Sequence, residues 1–194
     1  MVSPRFAMDF LLQSTSGQIG AYALGLFSGI AETGALRVAQ LPMSPTSVWI
    51  QASRLLVLPK LGEAEGKERA NRVKRLSQAA VVAPVTAYTV VAYVALLQVG
   101  DSIFGDAWQA AEAALLPVGV AAIARATSAV SLMTVQARSD GSTILRTRSA
   151  DSFITLVSIV GGAFAFGVEG AAWGHALANG LAATLWARLA NRYI

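Results

Sequence analysis

Cysteine is absent from this 194-residue chain, histidine occurs once, and charged residues make up only 13 %. Each shortage excludes something. Without cysteine there is no disulfide framework, thiol nucleophile or thiolate metal site. A single histidine, His175, leaves the usual zinc donor sets incomplete. The charged fraction is about half that of an ordinary soluble domain, where roughly a quarter of residues carry charge. HExxH, CxxC, GxSxG, Walker and GxGxxG patterns are all missing. Asp101 and Asp106 stand five apart, a poor fit to a metal-binding pair. The sequence therefore predicts no enzyme, no catalytic residue, no cofactor and no metal.

Apolar sequence dominates instead. Hydrophobic residues make up 55 % and mean hydropathy is +0.55. Several runs approach or exceed the roughly 20 residues needed to cross a bilayer core. The expectation is an all-α, polytopic membrane protein, a single bundle of six transmembrane helices. Its spans are read at about 6–31, 35–57, 79–99, 107–135, 152–168 and 171–189. A short break at Glu32-Thr33-Gly34 separates the first two. Pro42 and Pro45 bend the second, because proline removes a backbone donor, and Pro84 and Pro117 mark hinges or kinks in the third and fourth. The amino terminus has one early basic residue, Arg5, then polar Gln13-Ser14-Thr15-Ser16, unlike a cleaved signal peptide. The first span is expected to be retained.

The net charge of +4 sits mostly in the gaps between apolar runs, which speaks for membrane orientation and against nucleic acid. One side collects Lys60, Lys67, Arg69, Arg72, Lys74 and Arg75 in a loop over 60–78, Arg138, Arg146 and Arg148 in a loop over 138–149, and Arg5, Arg188 and Arg192 near the termini. The other side holds Glu32, Asp101, Asp106 and Glu169. Basic short loops stay cytoplasmic, so both loops and both termini are expected inside. Glu63–Lys67, Glu65–Arg69 and Glu68–Arg72 are acid-before-base pairs four apart, which predicts a helix in the longer loop. Its basic face could meet anionic headgroups, though a solvated face is the commoner use of such a run. Gly25/Gly29 and Gly170/Gly174, the latter extended by Ala178, are GxxxG pairs that support close helix packing. Trp108, Trp173 and Trp186 lie near span ends, where aromatic belts form.

Charged groups inside spans are costly and tend to face a cavity or a partner. Arg37, Arg54, Glu112 and Arg125 are the four candidates. Arg37 and Arg54 lie near the two ends of the second span, within snorkelling reach of a surface. Arg125 is deep in the fourth, between Ala124 and Ala126. Thirteen residues separate it from Glu112, which places the two on different faces of one helix. Three arginines against one glutamate favour an anionic cargo, since the planar guanidinium donates paired hydrogen bonds to phosphate and stays charged. The alternative use of these arginines is to lock helices together. For His175, a hydrogen bond across a helix contact is the commoner role, a proton relay the rarer one.

The segment Tyr22-Ala23-Leu24-Gly25-Leu26-Phe27-Ser28-Gly29, followed by Gly34-Ala35-Leu36-Arg37-Val38-Ala39-Gln40, resembles the polysaccharide flippases of the multidrug/oligosaccharidyl-lipid/polysaccharide exporter superfamily. So do Ser44-Pro45, Pro59, Phe104-Gly105-Asp106-Ala107-Trp108 and Gly170-Ala171-Ala172-Trp173-Gly174. The resemblance covers nearly the whole chain, but with only one bundle, like the carboxy-terminal half of such a flippase. It implies a multi-pass protein of a bacterial cytoplasmic (inner) membrane that moves a lipid-linked, anionic polysaccharide precursor, with Arg37, Arg54 and Arg125 on the cavity wall. It also implies membrane lipids and a lipid-diphosphate-linked sugar as partners. Because one bundle supplies one wall, a homodimer or a second half-transporter chain is expected. The alternatives are a non-transporting or truncated membrane subunit of a polysaccharide assembly complex and, with only Glu112 to serve it, a cation-coupled drug exporter.

Overall fold

A computed structural model describes residues 29–139 and 141–194, together with Gly25. Most of the expected first span, Arg5 and the Tyr22–Ser28 stretch lie outside the described residues. The rest is all-α, with no strand among the described residues. The elements are α1 (Ile30–Gln40), a 3-10 turn (Leu41–Met43), α2 (Ser44–Gly62), α3 (Lys67–Phe104), α4 (Asp106–Arg138) and α5 (Gly141–Tyr193). By length and composition α3, α4 and α5 can each cross a membrane.

Six spans were expected; among the described residues three such helices are found, and most of the first expected span lies outside those residues. α5 fuses the expected fifth and sixth spans. Phe166 and Gly167 leave helical geometry inside it, Gly167 at φ +58°, where a side chain would be strained. The chain reverses there, and the two arms (141–165 and 168–193) pack against each other. A Cβ on Gly170 would overlap the carbonyl of Gly162, and one on Gly174 that of Ser158. Thus Ser158/Gly162 faces Gly170/Gly174, and the predicted GxxxG pair is consumed inside the chain. The buried row continues every four residues through Ala178, Ala182, Trp186 and Ala190. Small residues let the arms touch near the reversal, and Trp186 fills the wider gap beyond, with its indole N–H donating to Asp151 Oδ2 at 3.4 Å.

The expected second span is split instead of bent. α1 runs unbroken through Glu32-Thr33-Gly34, where a break was expected, because Glu32 sits favourably in its first turn and the Thr33 hydroxyl donates to the Gly29 carbonyl at 3.2 Å. The break falls one helix later, at Leu41-Pro42-Met43. Pro45 has no N–H for the Leu41 carbonyl, and the Ser44 hydroxyl donates to it at 2.7 Å. Thr46 does the same for Met43 at 2.6 Å, and the Tyr88 hydroxyl of α3 binds the Pro42 carbonyl at 2.7 Å.

The loops are shorter than the charge pattern implied. α4 ends at Arg138 and α5 begins at Gly141, so most of 138–149 is helix. Only 63–66 separates α2 from α3, and of the three acid–base pairs only Glu68–Arg72 falls within a helix. A single residue, Gly105 at φ +55°, turns α3 into α4. There Gly100 leaves room for the Trp108 indole, which stacks on Phe104 with centroids 5.9 Å apart. Trp108 and Trp186 are thus buried in the fold, not set in a belt, while Trp173 is exposed.

α4 is the central post and packs against every other described helix. Arg138 at its end ties helix termini together: its guanidinium donates to the carbonyls of Leu61 and Ala64 at the end of α2 and of Tyr193 at the end of α5. Lys74, in the polar first turns of α3, donates to Asn191 Oδ1 at 2.7 Å, and partial burial pulls its pKa below the ordinary lysine value. α1 and α2 flank α4 on one side and the α5 hairpin on the other, which leaves a groove between α2 and α5.

Candidate functional site

Two adjoining cavities fill that groove. The larger, about 520 Å³, is bounded by α1 (Thr33, Leu36, Arg37, Gln40), the 3-10 turn and start of α2 (Leu41, Met43, Ser44, Thr46, Ser47), α4 (Val118, Ala122, Arg125) and α5 (Ile159, Ala171, Ala172, His175). This is the size of a small-molecule pocket. The smaller, about 130 Å³, lies between α2 (Ser47, Ile50, Gln51, Arg54), α4 (Arg125, Ser128, Ala129, Leu132, Met133) and Arg148 of α5. Ser47 and Arg125 line both.

Helix geometry sets these positions. On α4, Val118, Ala122, Arg125 and Ala129 recur at three- and four-residue steps and share one face. On α2, Ser47, Ile50, Gln51 and Arg54 do the same and look across at them. Arg37 lies in the last turn of α1, where a cation suits the helix dipole. Arg125 comes from the middle of the fold but opens onto the cavities. Its Nη1 donates to Ser47 Oγ at 3.4 Å and its Nη2 lies 3.2 Å from His175 Nε2. Arg54 Nη2 donates to Gln136 Oε1 at 2.9 Å. Arg148 stands 3.7 Å from the Asp151 carboxylate and 5.7 Å from the centre of the Trp186 ring, in cation–π range.

The structure therefore brings Arg37, Arg54 and Arg125 to one continuous groove and does not bring Glu112 there. Glu112 is on an exposed face of α4 and lines neither cavity. The carboxylate that a cation-coupled exporter would want inside is on the wrong side of the helix. Among the described residues lining the two cavities are four guanidinium groups and no carboxylate. Such a surface can hold an oxyanion through paired N–H donors, with the Ser47 hydroxyl beside them, while the hydroxyls of Ser44, Thr46 and Ser128 already donate to backbone carbonyls. No cluster of three or more His, Cys, Asp or Glu side chains suited to a metal ion occurs among the described residues.

Sequence reasoning did not select Arg148, Ser47 or His175 for this groove. Arg148 counted as a loop charge, and only its place on α5 turns it inward. Ser47 carries no sequence signal. His175 does form a hydrogen bond across a helix contact, and that same contact sets it in the cavity wall. Compared with protein-family models, curated proteins and solved structures, the chain matches none.

Proposed function

We propose that this chain is a membrane transporter, or one half of one, whose groove receives the anionic end of a lipid-linked polysaccharide precursor. The supporting observation is the convergence of Arg37, Arg54, Arg125 and Arg148 on two adjoining cavities without a carboxylate among the described lining residues. In an apolar chain such a concentration of like charge is expensive unless an anion offsets it. The smaller cavity suits a phosphoryl group and the larger a polar or apolar body. In this reading the two arms of α5 are separate crossings and α3 and α4 supply two more, with the basic loops on the cytoplasmic side. A second copy or a separate half-chain supplies the facing wall.

The test is binding of a fluorescent short-chain prenyl-diphosphate sugar to the purified protein in nanodiscs. The neutral prenyl-linked sugar serves as control. Saturable binding of the diphosphate form, weakened at least about tenfold by Arg125→Ala, is expected from losing a charge-assisted contact. No binding by the wild-type protein, alone or as an oligomer, rejects the reading.

A second reading has its own observation. Arg54 is held by Gln136, Arg125 by Ser47 and His175, and Arg148 by Asp151. Such contacts serve equally well to pin helices in a non-transporting membrane subunit. That protein would bind no diphosphate sugar, and Arg125→Ala would lower its thermal stability alone.

A further inference from the structure

His175 meets Arg125, which lines both cavities of the groove, in a way that fixes its own protonation state. A guanidinium can only donate hydrogen bonds. Arg125 Nη2 lies 3.2 Å from His175 Nε2, so that nitrogen accepts. The Asn179 amide nitrogen, anchored by its 2.8 Å bond to the His175 carbonyl, points at the same Nε2 from 3.3 Å. The imidazole is therefore neutral with its proton on Nδ1, a buried atom that has no hydrogen-bond partner among the described residues. A second proton has one place to go, Nε2, where it would face two donors.

Among the described residues, every charged group that lines the cavity around His175 is positive: Arg37 from α1 and Arg125 from α4. α2 and the 3-10 turn present Ser44, Thr46 and Ser47, and the first arm of α5 presents Ile159. Without a ligand, no described residue lining this cavity offsets an imidazolium. An oxyanion in the groove changes both terms. It gives the Arg125 fork an acceptor in place of Nε2, and it sets a negative charge beside the ring.

We infer that His175 is a proton-binding site linked to the groove, so that the anion and a proton are taken up together. The inference rests on the anion-binding reading above. Binding of the anion releases Nε2 from Arg125, and Nε2 then takes a proton from solvent. No bond other than N–H forms. Linkage is reciprocal, so acid tightens anion binding by the same factor by which the anion favours protonation.

The probe is the same prenyl-diphosphate sugar, titrated into the wild-type protein in weakly buffered nanodiscs with a pH-indicator dye. Uptake of about one proton per bound anion is expected, with affinity rising up to about tenfold per unit fall in pH within the range of about 8 to 5. His175→Gln keeps an amide that can accept from Arg125 but cannot titrate. It is expected to abolish the uptake and flatten the pH profile, and circular dichroism reports whether that variant is folded. Wild-type binding without proton uptake overturns the inference and leaves the anion site intact. Uptake that persists in folded His175→Gln also overturns it, because the proton then sits elsewhere. Failure of the probe to bind at any pH removes the anion reading itself.

Discussion

The two arms of α5 and the pair α2/α5 are both neighbouring helix surfaces, and they meet in opposite ways. In the hairpin, Ser158 and Gly162 lie against Gly170 and Gly174 with backbone against backbone. Across the groove, α2 and α5 do not close on each other, and cavities of about 130 and 520 Å³ lined by Arg37, Arg54, Arg125 and Arg148 lie there. The first contact depends on the absence of side chains, whereas long polar ones line the second. In a lipid phase, apolar surface gives helices little reason to associate, so contact must come from close packing or polar bonds. This chain closes one pair of helices by packing and lines the open space beside another with charge.

Filling the hairpin should have the largest effect. Gly174→Val places a branched side chain where even a single Cβ would overlap the Ser158 carbonyl. Overpacking of this kind costs about 3 kcal/mol or more, which corresponds to a Tm loss of roughly 6–12 °C for a chain of this size. Thermal unfolding in detergent checks it. Gly161, whose added Cβ would meet nothing within 4 Å, is the matched control: Gly161→Ala should leave Tm unchanged or raise it slightly, since alanine favours a helix. Equal losses at both glycines would dissolve the contrast between closed and open helix pairs.

Emptying the groove should show the reverse signature, with binding lost and the fold kept. Arg125→Ala removes the one charged side chain among the described residues that lines both cavities, along with its bonds to Ser47 and His175. Diphosphate-sugar affinity should fall at least about tenfold while Tm moves by only a few degrees. Arg125→Lys should recover part of the affinity, because the charge stays and the planar fork goes. A Tm loss as large as that of Gly174→Val would instead make Arg125 a structural pin.

How far the sequence foretold these two regions differs with the physics of each. Helicity and the apolar runs follow from composition, whereas the cost of intramembrane charge singled out Arg37, Arg54, Arg125 and Glu112 alike, and only the three arginines line the groove. The GxxxG spacing also foretold a close contact. Its partner was hidden, because Ser158 and Gly162 are unremarkable until Phe166 and Gly167 turn the chain back on itself. The four-residue row from Gly170 to Ala190 could have exposed Trp186 as buried, since a tryptophan in register with alanines fills space between helices. Arg148 was not legible as a groove residue. Nothing local distinguishes it from Arg146, which the structure leaves exposed. The Arg125–His175 contact joins residues 50 apart in sequence and is set by tertiary packing alone.

A smaller effect is expected at Arg54. Its guanidinium reaches Gln136 on α4, and it borders only the smaller cavity. Arg54→Gln should weaken the diphosphate ligand by several-fold, less than Arg125→Ala, because Arg125 and Arg148 still line the smaller cavity. The comparison with the neutral prenyl-linked sugar is sharper still, since loss of Arg54 should not affect it.

The smallest effect belongs to Glu112, and it tests the face assignment of α4. Glu112 stands thirteen residues before Arg125 and is exposed, while Arg125 looks into the groove. If charge inside the groove is what matters, Glu112→Gln should leave diphosphate-sugar affinity within about twofold and Tm within a degree or two, as for surface substitutions generally. A long-range field effect would be different: removing a negative charge would tighten the anion and the gain would fade with added salt, because exposed charges beyond a Debye length of about 8 Å are screened. A salt-independent loss of binding would place Glu112 against the ligand, and α4 would then have to be rotated by roughly a third of a turn relative to α2 and α5.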